Sequence, residues 1–177
     1  MERTPLLIIY TGNGKGKTTA AMGLVFRALG HTAQCAVLQF IKPEKLVTGE
    51  KIVAQKLGVL WENYGEGFLW KVSDEELSRQ ACQQGWQRAK ELIIQQKHAM
   101  IVLDEFTYPI EQGYIPLNEV VDFFATYKRE KQTPHVVITG RNAAQPLIEI
   151  ADMVHEIVEV KHPWRLAKVK AQPMIEY

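Results

Sequence analysis

The sequence predicts an α/β protein built on a mostly parallel, doubly wound sheet. Short apolar runs alternate with amphipathic segments of helical period, the pattern of strands joined by crossover helices. Several of those runs are apolar without alternation, as strands covered on both faces are. The first run, Leu6-Leu7-Ile8-Ile9-Tyr10, leads into a glycine-rich loop and then an Ala-rich helical segment. That is a strand, a loop and a helix start.

Taken in order, a first strand is expected at 6–10 and a helix at 17–29. Ala20, Ala21, Leu24, Val25 and Ala28 recur there at helical spacing, and Gly30 supplies the stop. A second strand at 34–40 is broken by Lys42-Pro43. A short helix at 50–57 stops at Gly58, and a third strand follows at 59–64. Residues 65–70 read as a loop with two large aromatics, Phe68 and Trp70. Ser73 and Glu76 form a capping box that opens the longest helix, which runs to about Gln96. Leu77, Ala81, Ala89, Leu92 and Ile93 are its expected buried stripe. A strand at 100–104 ends in Asp104-Glu105. Pro116 or Asn118 starts a helix carrying Val120, Val121, Phe124 and Tyr127. A strand at 135–139 is closed by Gly140-Arg141. A short helix at 146–151 and a β-rich tail, at 154–160 and 169–171, complete the chain.

The length of 177 residues suits one domain spanning 1–177, with a sizeable core. At 46% hydrophobic and 23% charged residues, the composition is that of a soluble globular protein. A net charge of +1 argues against a dedicated nucleic-acid surface. The two cysteines, Cys35 and Cys82, have no metal or redox spacing and read as buried free thiols. No run approaches membrane-spanning length and no secretory signal opens the chain, so a cytoplasmic location is expected.

The glycine-rich loop carries the strongest chemical signal. Gly12, Asn13, Gly14, Lys15, Gly16, Lys17, Thr18 and Thr19 lie between strand and helix. Glycines let backbone N–H groups converge on an anion, and the helix N-terminus adds partial positive charge there. Lys17 is placed to bring an ammonium to phosphates, and Thr18 a hydroxyl to their Mg²⁺. The general phosphate-loop pattern has a first glycine where this chain has Thr11. Asp104 and Glu105 end an apolar strand, the position from which an acid beside such a loop holds Mg²⁺. Ligands of a doubly wound sheet bind outside the carboxyl ends of its strands, so residues 11–18, 104–105 and 139–141 can share one face. Arg141 can clamp a phosphate with its planar fork, although a surface ion pair fits the sequence equally well. Phe68 and Trp70, two apart, can wall a flat ligand or close over the core. The five histidines show no ligand spacing.

With these residues in hand, the chain resembles the P-loop corrinoid adenosyltransferases. Thr11–Ala21, TGNGKGKTTAA, is similar to that family's phosphate loop. The likeness extends beyond the loop: VLQFIK at 37–42 resembles the family's second strand, and GFLW at 67–70, LDEFTY at 103–108, 114–121, VITGR at 137–141, 149–152, 169–172 and 175–177 resemble its later segments in order. The resemblance implies a RecA-like, P-loop NTPase-like three-layer fold. It implies transfer of the 5′-deoxyadenosyl group of ATP to the Co(I) of a reduced corrinoid, with triphosphate released intact. By position, residues 12–19 would hold triphosphate, with Arg141 a weaker carry-over, and Lys17 and Glu105 would take part in catalysis. Thr18 and Glu105, with Asp104 nearby, would serve Mg²⁺ or Mn²⁺. Phe68 and Trp70 match the aromatics that displace the corrinoid's lower ligand. The family implies a homodimer and a flavoprotein reductant, without nucleic acid or membrane.

Relatives in the family carry a longer N-terminal lid segment. Here Lys71 stands where an acid is usual, and residues 162–168 and 173–174, within the tail 162–174, depart from the family pattern. Two other readings stay open at this point: a P-loop kinase or ATPase with Glu105 as base, and a nucleotide- or corrinoid-binding module without turnover.

Overall fold

Six strands form one parallel sheet in the computed structural model, which describes residues 4–43, 45, 47–65, 75–127 and 133–175. The strands are β1 (Leu7–Thr11), β2 (Cys35–Phe40), β3 (Leu60–Tyr64), β4 (Met100–Asp104), β5 (His135–Thr139) and β6 (Met153–Glu156). The helices are α1 (Lys17–Leu29), α2 (Gly49–Lys56), α3 (Glu75–Gln95), α4 (Thr107–Glu111), α5 (Leu117–Tyr127), α6 (Gln145–Ile150) and α7 (Pro163–Ala167). Strand order is β3-β2-β4-β5-β1-β6, and every pairing is parallel. Phe68, Trp70, Lys71 and the Ser73 capping box lie outside the described residues.

Alternation of side chains along each strand explains why the apolar runs are continuous. Leu7 and Ile9, Leu38 and Phe40, Ile101 and Leu103, and Val136 and Ile138 enter the larger core, which Trp86, Leu92, Ile93 and Phe124 of α3 and α5 cover. Their neighbours Ile8, Val37, Val102 and Val137 point the other way, into a second core closed by Ala21, Met22 and Val25 of α1 and Ala54 of α2. Each fully buried aliphatic or aromatic side chain contributes about 1.5–3 kcal/mol of transfer free energy, so two covered faces dominate the stabilisation. The result is a helix–sheet–helix sandwich whose crossovers leave all strand C-termini on one edge.

Several expectations are corrected. Gly30 does cap α1, as expected, but with φ −59° rather than in the left-handed region. The chain stays right-handed there, and the positive φ falls on Thr32, whose N–H donates to Leu29 O at 2.9 Å. Leu77 is half exposed and is not part of the α3 stripe. The buried row is Ser78, Cys82, Gly85, Trp86, Ala89, Leu92 and Ile93. Gly85 belongs to it because a Cβ there would lie 2.7 Å from the Tyr64 ring and 2.8 Å from Phe40. The β-rich tail reduces to β6. Beyond Glu156 the backbone serves the glycine loop instead, Ile157 N–H donating to Thr11 O at 2.8 Å and Ile157 O accepting from Gly14 N–H at 2.7 Å. Residues 169–171 are irregular. The short helices α4 and α7 were not expected from the sequence. Cys35 and Cys82 are buried free thiols, as expected.

Candidate active site

The strand order builds the site. β5 lies between β4 and β1, so the glycine loop after β1, the acids ending β4 and the Thr139 end of β5 meet at one edge. The loop needs its glycines for different reasons. Gly12 and Gly16 have φ of 96° and 109°, the left-handed region. At Gly12 and Gly14 a side chain would strike Ile157, its Cβ falling 2.5 Å and 2.7 Å from that carbonyl oxygen. The loop is thus pinned against the chain leaving β6. Thr11, in the first position of the loop, is buried, and its hydroxyl accepts from Ala143 N–H at 3.2 Å.

Lys17 is buried, and its ammonium donates to Gly12 O at 2.8 Å and Gly14 O at 2.7 Å. Burial lowers its pKa, opposed by Glu105. Thr18 Oγ1 donates to Asp104 Oδ1 at 2.8 Å, and Thr139 Oγ1 donates to the same oxygen at 2.7 Å. Thr139 Oγ1 also accepts from Glu105 N–H at 3.0 Å. The other Asp104 oxygen accepts from Gln39 Nε2 at 2.7 Å and lies 3.5 Å from Lys42 Nζ. Asp104 is fully buried, and its lone pairs are largely taken.

Glu105 differs. Its φ is 57°, an uncommon value for a residue other than glycine. Its Oε2 is buried without a hydrogen-bond partner among the described residues. Burial raises its pKa, and the Asp104 carboxylate beside it raises it further. A buried carboxylate oxygen with free lone pairs is suited to a cation. Among the described residues no three His, Cys, Asp or Glu side chains converge, so a divalent ion there would take its other oxygens from a ligand and water.

A cavity of about 670 Å³ opens over this edge. Gly14, Lys15, Gly16, Lys17, Thr18 and Thr19 line it together with Glu105, Tyr108 and Arg141. Gly12 and Asn13 are not among its lining residues. Arg141 reaches it because Gly140, φ 146°, turns the chain against Thr107, where any Cβ would collide with the Thr107 hydroxyl.

Sequence reasoning missed Gln39, Asn63, Lys42 and Tyr108 as parts of this site, whereas Thr139 lies on the face expected for it. Asn63, Gln39 and Asp104 are register partners across β3, β2 and β4. They form a polar row: Lys51 Nζ donates to Asn63, Asn63 Nδ2 to Gln39, and Gln39 to Asp104. The available signal was a lone amide inside each of two otherwise mainly apolar strands, CAVLQF and LWENY.

A parallel sheet with a glycine loop pinned between strand and helix, and an acid on the strand beyond its neighbour, defines a P-loop nucleotide-binding protein of the RecA-like class. Among solved structures, the flagellar accessory protein FlaH from Methanocaldococcus jannaschii shares the fold, with a TM-score of 0.59 at 13% identity over 88% of this chain and 72% of that one. The family of ATP:corrinoid adenosyltransferases BtuR/CobO/CobP matches residues 3–177, and the chain belongs to it. Curated relatives include a corrinoid adenosyltransferase from Sinorhizobium sp, 43% identical over 97% of this chain and 80% of that protein. The one from Escherichia coli K12 is 41% identical, over 97% and 85%. Corrinoid adenosyltransferase CobA from Salmonella typhimurium is 39% identical, over 99% and 87%.

Proposed function

We propose that this protein transfers the 5′-deoxyadenosyl group of ATP to the Co(I) of a reduced corrinoid and releases triphosphate. The observation that carries this reading is one cavity uniting the phosphate loop, Thr18 and the unpartnered Glu105 oxygen, in a chain matched by the family from end to end. The electron pair of the substrate Co(I) forms the bond to C5′. The C5′–O bond breaks with its pair on the triphosphate, which gains one negative charge. Residues 12–19 bind the triphosphate through backbone N–H groups and the Lys17 ammonium, with Arg141 in the same cavity. Thr18 and Glu105, with Asp104 behind Thr18, would hold Mg²⁺ or Mn²⁺, which supplies charge neutralisation and orientation of the polyphosphate. Phe68 and Trp70 displace the lower ligand of the corrinoid, which makes Co(II) easier to reduce. The protein supplies position and charge, and the metal chemistry belongs to the corrinoid.

In its setting the protein is proposed to act in the cytoplasm as a homodimer, in adenosylcobalamin synthesis or corrinoid salvage, with a flavoprotein as electron source. Two variants test the reading. Lys17→Ala should abolish both ATP binding and adenosylcorrinoid formation, and unchanged turnover would refute the loop assignment. Phe68→Ala or Trp70→Ala should impair the reaction from Co(II) much more than from chemically pre-reduced Co(I). Equal losses from the two starting states would count against ligand displacement.

A further inference from the structure

Lys42 has no role in the reading above, yet its surroundings are unusual. It lines the nucleotide cavity on the side of β2, next to Ile41. Its side chain is 17% exposed, and its ion pair among the described residues is with Asp104 at 3.5 Å. That is long for a charge-assisted bond, which runs at about 2.7–2.9 Å. Asp104 has little left to offer, because Thr18, Thr139 and Gln39 already occupy it at 2.7–2.8 Å. The ammonium therefore leans on a carboxylate whose hydrogen bonds are made with others.

The backbone that delivers it is strained. Ile41 has φ 58°, where a β-branched residue is an outlier. Lys42 N–H donates to Phe40 O at 2.7 Å, closing a three-residue turn around Ile41. Ile41 N–H donates to Tyr64 O at 2.9 Å, and Gly65 packs so closely that a Cβ there would lie 2.5 Å from the Ile41 backbone. Tertiary contacts thus hold a conformation the local sequence disfavours, at the turn where Ile41 and Lys42 line the cavity. Strain of this kind persists where the surrounding structure over-determines it, and it clusters at ligand clamps.

We propose that Lys42 is a second polyphosphate-binding cation, set in the cavity that the glycine loop lines, on the other oxygen of the carboxylate that Thr18 bonds. Its ammonium leaves Asp104 for the triphosphate of bound ATP and stabilises the unit of charge the triphosphate gains when the C5′–O bond breaks. A strongly hydrated point charge on a flexible four-carbon stem can make that move, whereas Lys17 is committed to the loop's own carbonyls until phosphate replaces them. This assignment rests on the adenosyl-transfer reading for its catalytic half, and on the cavity alone for its binding half.

The test is calorimetric binding of inorganic tripolyphosphate and, separately, of adenosine to the wild type, Lys42→Met and Lys42→Arg, beside the rate of adenosylcorrinoid formation. Loss of a charge-assisted contact should weaken tripolyphosphate by about ten- to one-hundred-fold in Lys42→Met. Adenosine affinity should be unchanged, and Lys42→Arg should recover most of the loss. Unchanged tripolyphosphate affinity in Lys42→Met overturns the proposal. So does an equal fall for tripolyphosphate and adenosine, which would mark Lys42 as a prop for the cavity. A wild type that binds tripolyphosphate through Lys42 but forms no adenosylcorrinoid would overturn the transfer reading and leave the binding role standing.

Discussion

Glu105 concentrates the opposing demands of the site. It sits at positive φ beside Asp104, and burial and that neighbour both push its pKa up. In the free protein its charged form is disfavoured, so folding favours the proton. Stability contributed by the protonated form is therefore present at and below the ordinary carboxylate value and is lost as pH rises through the raised one. Glu105→Gln should remove that dependence and raise the melting temperature of the free protein at neutral pH, while weakening the Mg²⁺ dependence of ATP binding. Melting curves across pH, with and without Mg²⁺, measure both; a parallel pH profile in the variant would refute the assignment. Gly140 is a second single-residue constraint. Gly140→Ala drives a methyl into Thr107 at a positive φ. The expected cost is about 1–3 kcal/mol, read as a lowered urea midpoint. It should come with weakened ATP binding, because Arg141 and Thr139 flank the glycine.

At the scale of elements, α3 and α5 are latched by one carboxylate. Glu119 Oε1 accepts from Trp86 Nε1 and from Lys90 Nζ, both at 2.7 Å, and Lys90 also lies over the Trp86 ring, 5.3 Å from its centroid. Lys90, then Trp86, hold the Glu119 pKa down. A depressed carboxylate contributes stability above its unfolded value and loses it as pH falls through the folded one. Glu119→Ala should cost about 1 kcal/mol at neutral pH, allowing for solvent screening, and the gap from wild type should close in acid. A gap independent of pH would show that the ion pair contributes nothing. This latch was invisible in the sequence, because it joins residues far apart through a face no local pattern marks. Strands β1, β2, β4 and β5 were legible, since burial on both sides makes their apolar runs continuous, and α1 was legible from its helical spacing. Helix α4 was not: its five residues include Pro109 and complete barely more than one turn, too short to show a period. The α3 stripe was misjudged at Leu77 because glycine and tryptophan, Gly85 and Trp86, set the rotation of the helix against Phe40, Tyr64 and Phe106. In the site, the loop and the acids were readable from residue type and order, while Gln39, Asn63 and Lys42 became meaningful only through strand register and the turn at Ile41.

For the whole molecule, one edge of the sheet gathers the groups that line the cavity, and the two faces carry the stabilising cores. Ligand binding to that edge should therefore stabilise the fold as a unit. At ATP–Mg²⁺ near one hundred times Kd the gain is about 2.7 kcal/mol. For a chain of this length that corresponds to a rise in Tm of about 5–10 °C, present in the wild type and absent in Lys17→Ala. The central claim concerns which bond of ATP breaks, and phosphorus NMR of the products decides it. The protein is mixed in the dark with ATP, Mg²⁺ and a pre-reduced corrinoid. Intact triphosphate appearing in step with a light-sensitive adenosylcorrinoid is the predicted result. ADP and inorganic phosphate, with the corrinoid unchanged, would contradict it.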